Sequence, residues 1–216
     1  MPNRFRHALL IIALASSVAA CGGGGGGGGG PSPGGNTGVT PIDPASLTFI
    51  AEYYPELKAE ASYPSRWRKE ILAFDPNIVA AFIEPQTSSS DTFQENVALV
   101  TVVGSNLRDV SGVTGIQVVS SQPFIIGGLT GEEVIFDGAF PGVSGEYRFM
   151  EISYTQGDTT HGLFYSAERD QFARNREVVR YMADRWRAGK IIFDDFFLGS
   201  DLETPGNSPI ASDGNN

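Results

Sequence analysis

Through the middle of the chain apolar residues alternate with polar ones or form short unbroken runs, and only near the end does the period lengthen. Residues 97–103 (VALVTVV) are almost continuously apolar and mostly β-branched, which predicts a central strand buried on both faces. Residues 78–83 follow the turn signal Asp75-Pro76-Asn77 and predict a second strand. Residues 57–63 and 67–74 predict two more, around Tyr63-Pro64-Ser65. Three short strands follow at 116–120, 124–126 and 133–136, separated by glycines. Residues 147–155 and 161–167 flank Gln156-Gly157-Asp158-Thr159-Thr160, a connection suited to an antiparallel hairpin. Upstream, Asp43-Pro44-Ala45-Ser46 predicts the start of a short helix running through Phe49 and Tyr53 and ending at Tyr54-Pro55.

After the hairpin the period becomes helical. Phe172, Val179, Met182, Ala183 and Trp186 share one face, while Arg174, Glu177, Arg180, Asp184 and Arg187 lie largely elsewhere. Asp170 is the expected cap and Gly189 the expected stop. The face predicts core anchors resting on a sheet rather than a cofactor site. Residues 191–198 (IIFDDFFL) read as a last short strand or docking segment. Antiparallel strand signals with one long amphipathic helix near the C-terminus define an α+β fold.

The two ends have a different texture. Arg4, Arg6 and His7 precede an apolar run over residues 8–15, and small residues lead to Val18-Ala19-Ala20-Cys21. A basic start, a short apolar stretch and a small-residue exit predict a secretory signal peptide over residues 1–20. A membrane-spanning helix needs about 20 apolar residues, more than this run supplies. Val-Ala-Ala-Cys resembles the lipobox of bacterial lipoproteins, which implies that Cys21 carries lipid and becomes the new N-terminus. Nine glycines follow, Gly22 to Gly30, then a Pro-, Ser- and Gly-rich stretch to residue 41. Twenty such residues make a tether reaching roughly 25 Å. Residues 42–202 are the expected globular domain, and 203–216 an expected disordered tail.

Charge narrows the partners. The chain carries 15 Lys+Arg against 25 Asp+Glu, a net −10. Removing residues 1–20 takes away Arg4 and Arg6 and no acid, so the remainder stands at −12. Such a surface repels phosphate backbones and excludes nucleic acid as an expected partner. It also leaves the acyl chains, not lipid headgroups, to hold the protein at a membrane.

Candidate chemistry is sparse. Cys21 is the sole cysteine, so once it is lipidated no thiol is left for a disulfide, redox centre or Cys-based metal site. With the signal removed, His161 is the sole histidine, which excludes a structural zinc site and leaves one imidazole for any Ser-His-Asp triad. Gly142-Val143-Ser144-Gly145 falls one residue short of a Gly-x-Ser-x-Gly elbow and reads as a plain turn. Glu132, Glu133 and Asp137 read as surface solvation. Asp194, Asp195, Asp201 and Glu203 offer oxygen ligands for a weak calcium site, but without EF-hand spacing they read as a solvated acidic edge. The expectation is therefore no catalytic residue, no metal and no cofactor. Tyr53, Tyr54, Tyr63, Trp67, Tyr147, Tyr154 and Tyr165 are expected mostly as half-buried sheet residues, with some available to an interface.

Tyr63-Pro64-Ser65-Arg66-Trp67, then Phe93-Gln94-Glu95-Asn96-Val97-Ala98-Leu99-Val100, then the hairpin over 147–167 and a closing helix with Trp186 in its last turn occur in that order. In that arrangement, over residues 59–193, the chain resembles the PsbP-like domains of the Mog1/PsbP/DcrB group. The resemblance implies an antiparallel sheet covered by helices in an α-β-α sandwich, commonly in a secreted or membrane-tethered accessory protein. It carries over no catalytic residues, and a fold does not by itself supply function. The expected role is a non-enzymatic lipoprotein of the bacterial cell envelope that binds or helps assemble an envelope protein partner. Gly22 after the acylated cysteine fits sorting to the outer membrane. The competing expectation is a small hydrolase or ligand carrier with a pocket between sheet and helix.

Overall fold

The computed structural model describes residues 39–72, 75–86 and 93–189. Its strands are β1 (Phe49–Tyr54), β2 (Ala59–Pro64), β3 (Arg68–Glu70), β4 (Ile78–Ile83) and β5 (Asn96–Val103). After the one-turn helix α1 (Leu107–Val110) come β6 (Thr114–Ile126), β7 (Leu129–Ala139), β8 (Tyr147–Gln156) and β9 (Thr159–Glu168). Helix α2 (Phe172–Asp184) and the two-residue strand β10 (Arg187–Ala188) complete the described chain. Seven strands form one antiparallel sheet in the order β3-β4-β5-β9-β8-β7-β6, and β1-β2-β10 form a smaller one.

Side chains alternate across the large sheet, as the period of two requires. One face presents Phe82, Val97, Leu99, Met150, Ile152, Leu163 and Tyr165, all buried against Val178, Val179, Met182, Ala183 and Trp186 of α2 and against the small sheet. The other presents Val100, Val134, Phe136, Phe149 and Phe164, covered by Leu107 of α1 and by Leu72, Phe93, Val113 and Phe140 from loops. The architecture is thus an α+β antiparallel sheet with a helix laid on it. The second covering layer is one helical turn and loops.

Strands at 78–83 and 96–103, the hairpin and the helix stand where the sequence pattern puts them. Elsewhere the structure corrects it. Asp43 does cap a turn, its carboxylate accepting from the Ala45 N–H at 2.9 Å, but only the 3-10 turn Pro44–Ser46 forms. Leu47 is already extended, and residues Phe49–Tyr54 pair with β2 from Phe49↔Pro64 to Tyr54↔Ala59. A cross-strand partner has overridden a local helix signal, as tertiary context often does. Leu57 belongs to a second 3-10 turn, Lys58 takes a left-handed φ of 48°, and β2 starts only at Ala59. Of the expected 67–74 strand, the structure shows Arg68–Glu70, while residues 73 and 74 lie outside the described part.

The two expected strands at 116–120 and 124–126 are one 13-residue strand, continuous because β7 pairs along its length. The hairpin connection contracts from five residues to two. Gln156 pairs with Thr159 across Gly157-Asp158, and Gly157 adopts φ 65°, which a side chain disfavours. Asp170 does not cap α2. Gln171 occupies the cap without a side-chain bond, and Arg174 N–H bonds its carbonyl at 2.9 Å. Gly189 ends β10 rather than the helix, its N–H bonding the Lys58 carbonyl at 3.0 Å.

Candidate functional site

The carboxylates of β7 have separate fates. Glu133 is not solvated: it is 1% exposed, directly beneath α2. Arg180 meets its two oxygens at 2.6 and 2.7 Å, Gln122 of β6 donates at 2.9 Å, and Arg176 stands at 3.5 Å. Burial raises the Glu133 carboxyl, but the Arg180 hydrogen bonds and charge, with Arg176 and Gln122, outweigh it and hold the group below the usual glutamate range. Glu133 is therefore a rivet joining β6, β7 and α2. Glu132 is exposed, as expected, and accepts from the Ser121 hydroxyl at 2.5 Å. Asp137 is half-buried and takes a two-pronged bond from Arg148 at 2.7 and 3.0 Å.

Arg148 also borders the open cleft of about 630 Å³ lined by Glu146, Arg148, Glu168, Arg169 and Asp170. It lies where β8 begins and β9 ends, not between sheet and helix as a ligand carrier would require. Both its arginines are engaged, Arg148 by Asp137 and Arg169 by Asp137 at 3.5 Å and Glu146 at 3.1 Å. Acids outnumber bases there, so the cleft has no surplus positive charge for an anion.

His161 sits on β9 with its Nδ1 at 3.1 Å from the Thr101 hydroxyl and its ring centroid 5.4 Å from that of Tyr154. Burial, then the Lys58 charge, lowers its pKa, so it is a neutral hydrogen-bonded imidazole at neutral pH. Ser144 lies in an exposed loop, where its carbonyl accepts from the Tyr147 hydroxyl at 2.9 Å. The structure does not bring Ser144, His161 and a carboxylate together. The aromatic residues are more deeply placed than expected. Tyr54, Tyr63, Trp67, Tyr147, Tyr154 and Tyr165 are all buried, and Tyr53 alone of that set is exposed. Cys21, the acidic residues Asp194, Asp195, Asp201 and Glu203, and the 191–198 segment lie outside the described residues.

What the sequence pattern did not single out is β6. Among the described residues it is the last strand of the large sheet, and no described strand pairs with its outer side. Thirteen residues long, it is exposed along nearly its whole length, with Val118 60%, Val119 51% and Ile125 56% exposed beside Ile116. It has no charged residue, and none occurs anywhere between Asp109 and Glu132. That gap was the available signal, hidden because residues 116–126 read as two short strands.

The backbone geometry limits which part of this edge can accept another strand. Ile126 pairs with Leu129 across the two-residue turn Gly127-Gly128, both at positive φ, so this is a hydrogen-bonded pair. Counting back by twos, Phe124 and Gln122 also bond inward to β7, whereas Ile125, Pro123 and Ser121 face outward. Pro123 thus presents no outward N–H, a common way of blunting an edge. At the other end Gly115 has φ 65° and pairing slips between Thr114 and Gln117, with a further shift between Val118 and Ser120. Within residues 116–122 the backbone groups of Val118 and Ser121 face outward with no strand partner among the described residues, and Ile116, Val118 and Val119 are exposed. The C-terminal half is fixed: Ile126 is fully buried, Phe124 lies against the same core, and Gly127 touches the Trp186 backbone so closely that a Cβ would stand 2.1 Å from its carbonyl oxygen.

A scan against protein families finds no match, and a search of curated proteins finds none. Among solved structures, the chain is similar to the solution structure of cyanobacterial PsbP (CyanoP) from Synechocystis sp. PCC 6803. The TM-score is 0.47 at 10% identity, over 73% of this chain and 98% of that one. It is likewise similar to the Saccharomyces cerevisiae Ran-binding protein Mog1p, with TM-score 0.47 at 10% identity over 66% and 96% of the two chains. A third similar structure is LpqN of Mycobacterium tuberculosis, involved in cell envelope biogenesis, with TM-score 0.44 at 9% identity over 65% and 90%.

Proposed function

We propose that this chain is a non-enzymatic lipoprotein of the bacterial cell envelope, anchored through Cys21 and sorted to the outer membrane, whose folded domain binds or helps assemble a protein partner. The observation that carries the binding role is the outer edge of β6: uncharged, with Ile116, Val118 and Val119 exposed and with outward backbone groups that no described strand pairs. Such an edge recognises an added strand, with main-chain bonds giving affinity and alternate side chains giving selectivity. A lipid anchor with a glycine tether raises the local concentration of the domain beside membrane partners, so a modest interface suffices.

The test places a photo-crosslinking amino acid at Val118 of the full chain in its own cells, with Glu146 as the control position. A discrete adduct from position 118 and none from 146 is expected. Equal labelling from both positions, or none from 118, overturns the binding role. Cys21→Ala tests the anchor separately: release of the chain from the membrane fraction is expected, and unchanged retention overturns the anchor.

A further inference from the structure

We infer that the partner of the β6 edge is a second copy of this chain, joined edge to edge about a two-fold axis so that two seven-stranded sheets become one. This rests on the reading of β6 as a protein-binding edge and adds the identity of the occupant. In a two-fold pairing every residue of the strand meets a residue of the same strand. Like charges directly opposite destabilise such a pair, and in a chain of net charge −10 most surfaces would bring acids together. Residues 116–122 carry no charge, so β6 can face its own copy without that penalty. The nearest carboxylates are already used, Glu132 by Ser121 and Glu133 beneath α2.

The limits of the edge are consistent with a self-paired strand. Gly115 and Pro123 stand four residues on either side of Val119. The pairing shift beside Val119 leaves Val118 and Ser121 facing outward, so an antiparallel copy sets Val118 of one chain opposite Ser121 of the other and Ile116, next to the Gly115 kink, opposite Pro123. The missing N–H then falls where the ladder is already ending. Ile116, Val118 and Val119 of both copies gather around the axis. The edge has no charge with which to select a foreign strand, whereas a second tethered copy is present at the same membrane. Growth stops at two, because the opposite edge of the sheet is the three-residue β3, occupied by charged side chains.

The test introduces Val118→Cys, Val119→Cys and Ser120→Cys singly into the full chain, in the membrane, followed by mild oxidation and non-reducing electrophoresis. Val103→Cys, on β5 and 70% exposed, is the control, and the unsubstituted chain gives any background from Cys21. A disulfide requires Cα atoms about 4.4–6.8 Å apart, which a two-fold axis near Val119 provides. At least tenfold more covalent dimer from one of the three central positions than from Val103→Cys is expected, with loss of the dimer when Ile116→Lys is added. Unchanged thermal melting of the variants shows that they are folded. Dimer no greater than the control overturns the second-copy inference. The adduct from Val118 then separates the two readings: a different protein, or the chain's own 190–216 segment, overturns the inference alone, and no adduct overturns the binding role as well.

Discussion

The two edges of the large sheet solve the same problem in opposite ways. At one end β3 is three residues long and consists of Arg68, Lys69 and Glu70. Arg68 and Glu70 pair at 3.1 Å, and Lys69 is tied to Glu52 on β1, whose carboxylate also takes the Tyr54 and Tyr63 hydroxyls. The Lys69 hydrogen bond, together with those of the two tyrosines, holds Glu52 below its usual range although partial burial opposes it. A short, charged edge bonded to the next sheet offers an incoming strand little to pair with. At the other end β6 is long and uncharged with Ile116, Val118 and Val119 exposed; Pro123 protects the half packed on the core beneath α2, and pairing irregularities are what interrupt the rest. A charged, cross-bonded edge at one end of the sheet and an uncharged one at the other is the contrast on which the proposed binding role of β6 rests.

The comparison breaks most severely if β6 loses its anchorage. Trp186 is fully buried against the β6–β7 turn, and Trp186→Ala is expected to cost about 3–5 kcal/mol, read by urea unfolding. Next in size is Glu133→Gln, which takes from Arg180 the buried carboxylate it holds with two hydrogen bonds, leaving it Glu177 at 3.4 Å, and is expected to cost about 3 kcal/mol at pH 7. The same rivet gives a pH signature. Because the folded pKa of Glu133 is lowered, its stabilisation is present above the unfolded glutamate value of 4.5 and is lost as pH falls through the folded value. Unfolding curves between pH 6 and 2 should therefore decline less steeply in Glu133→Gln than in the parent chain.

Glu151 sharpens this by contrast. It is equally buried, but Arg108 stands at 3.4 Å and burial dominates, raising its pKa despite the Arg108 charge and the Ser153 hydroxyl. The sign reverses: its contribution is present below the unfolded value and is lost as pH rises through the folded one. Glu151→Gln is thus expected to cost less than Glu133→Gln at pH 7 by at least about 1 kcal/mol in paired denaturation curves. The smallest stability effect belongs to the edge itself. Val118→Lys is expected to change stability by less than about 0.5 kcal/mol, as exposed positions do, while removing association measured by crosslinking.

Much of the sheet was legible because residues 97–103 and 78–83 carry their burial in their own side chains, and α2 displays its period over three turns. The rest depended on partners far away in the chain. Asp43-Pro44 is a true capping signal, yet the residues just beyond it, Phe49–Tyr54, pair with β2 and become β1. Glu133 looks like any surface glutamate until α2 brings Arg180 over it. Strand β6 looks divided around Pro123, because only the β7 ladder shows that its prolyl nitrogen faces out. The uncharged edge proposed as an interface was legible solely as a missing charge, a weaker mark than a motif.

The most direct measurement is amide hydrogen exchange on the full chain in membranes, monitored separately over residues 116–122 and over Arg68–Glu70, in the parent and in Val118→Lys. Slow exchange over 116–122 in the parent, turning fast in the variant while Arg68–Glu70 stays unchanged, is the predicted result. Fast exchange over 116–122 in both chains would mean that nothing pairs with β6, and would contradict its role as the binding edge.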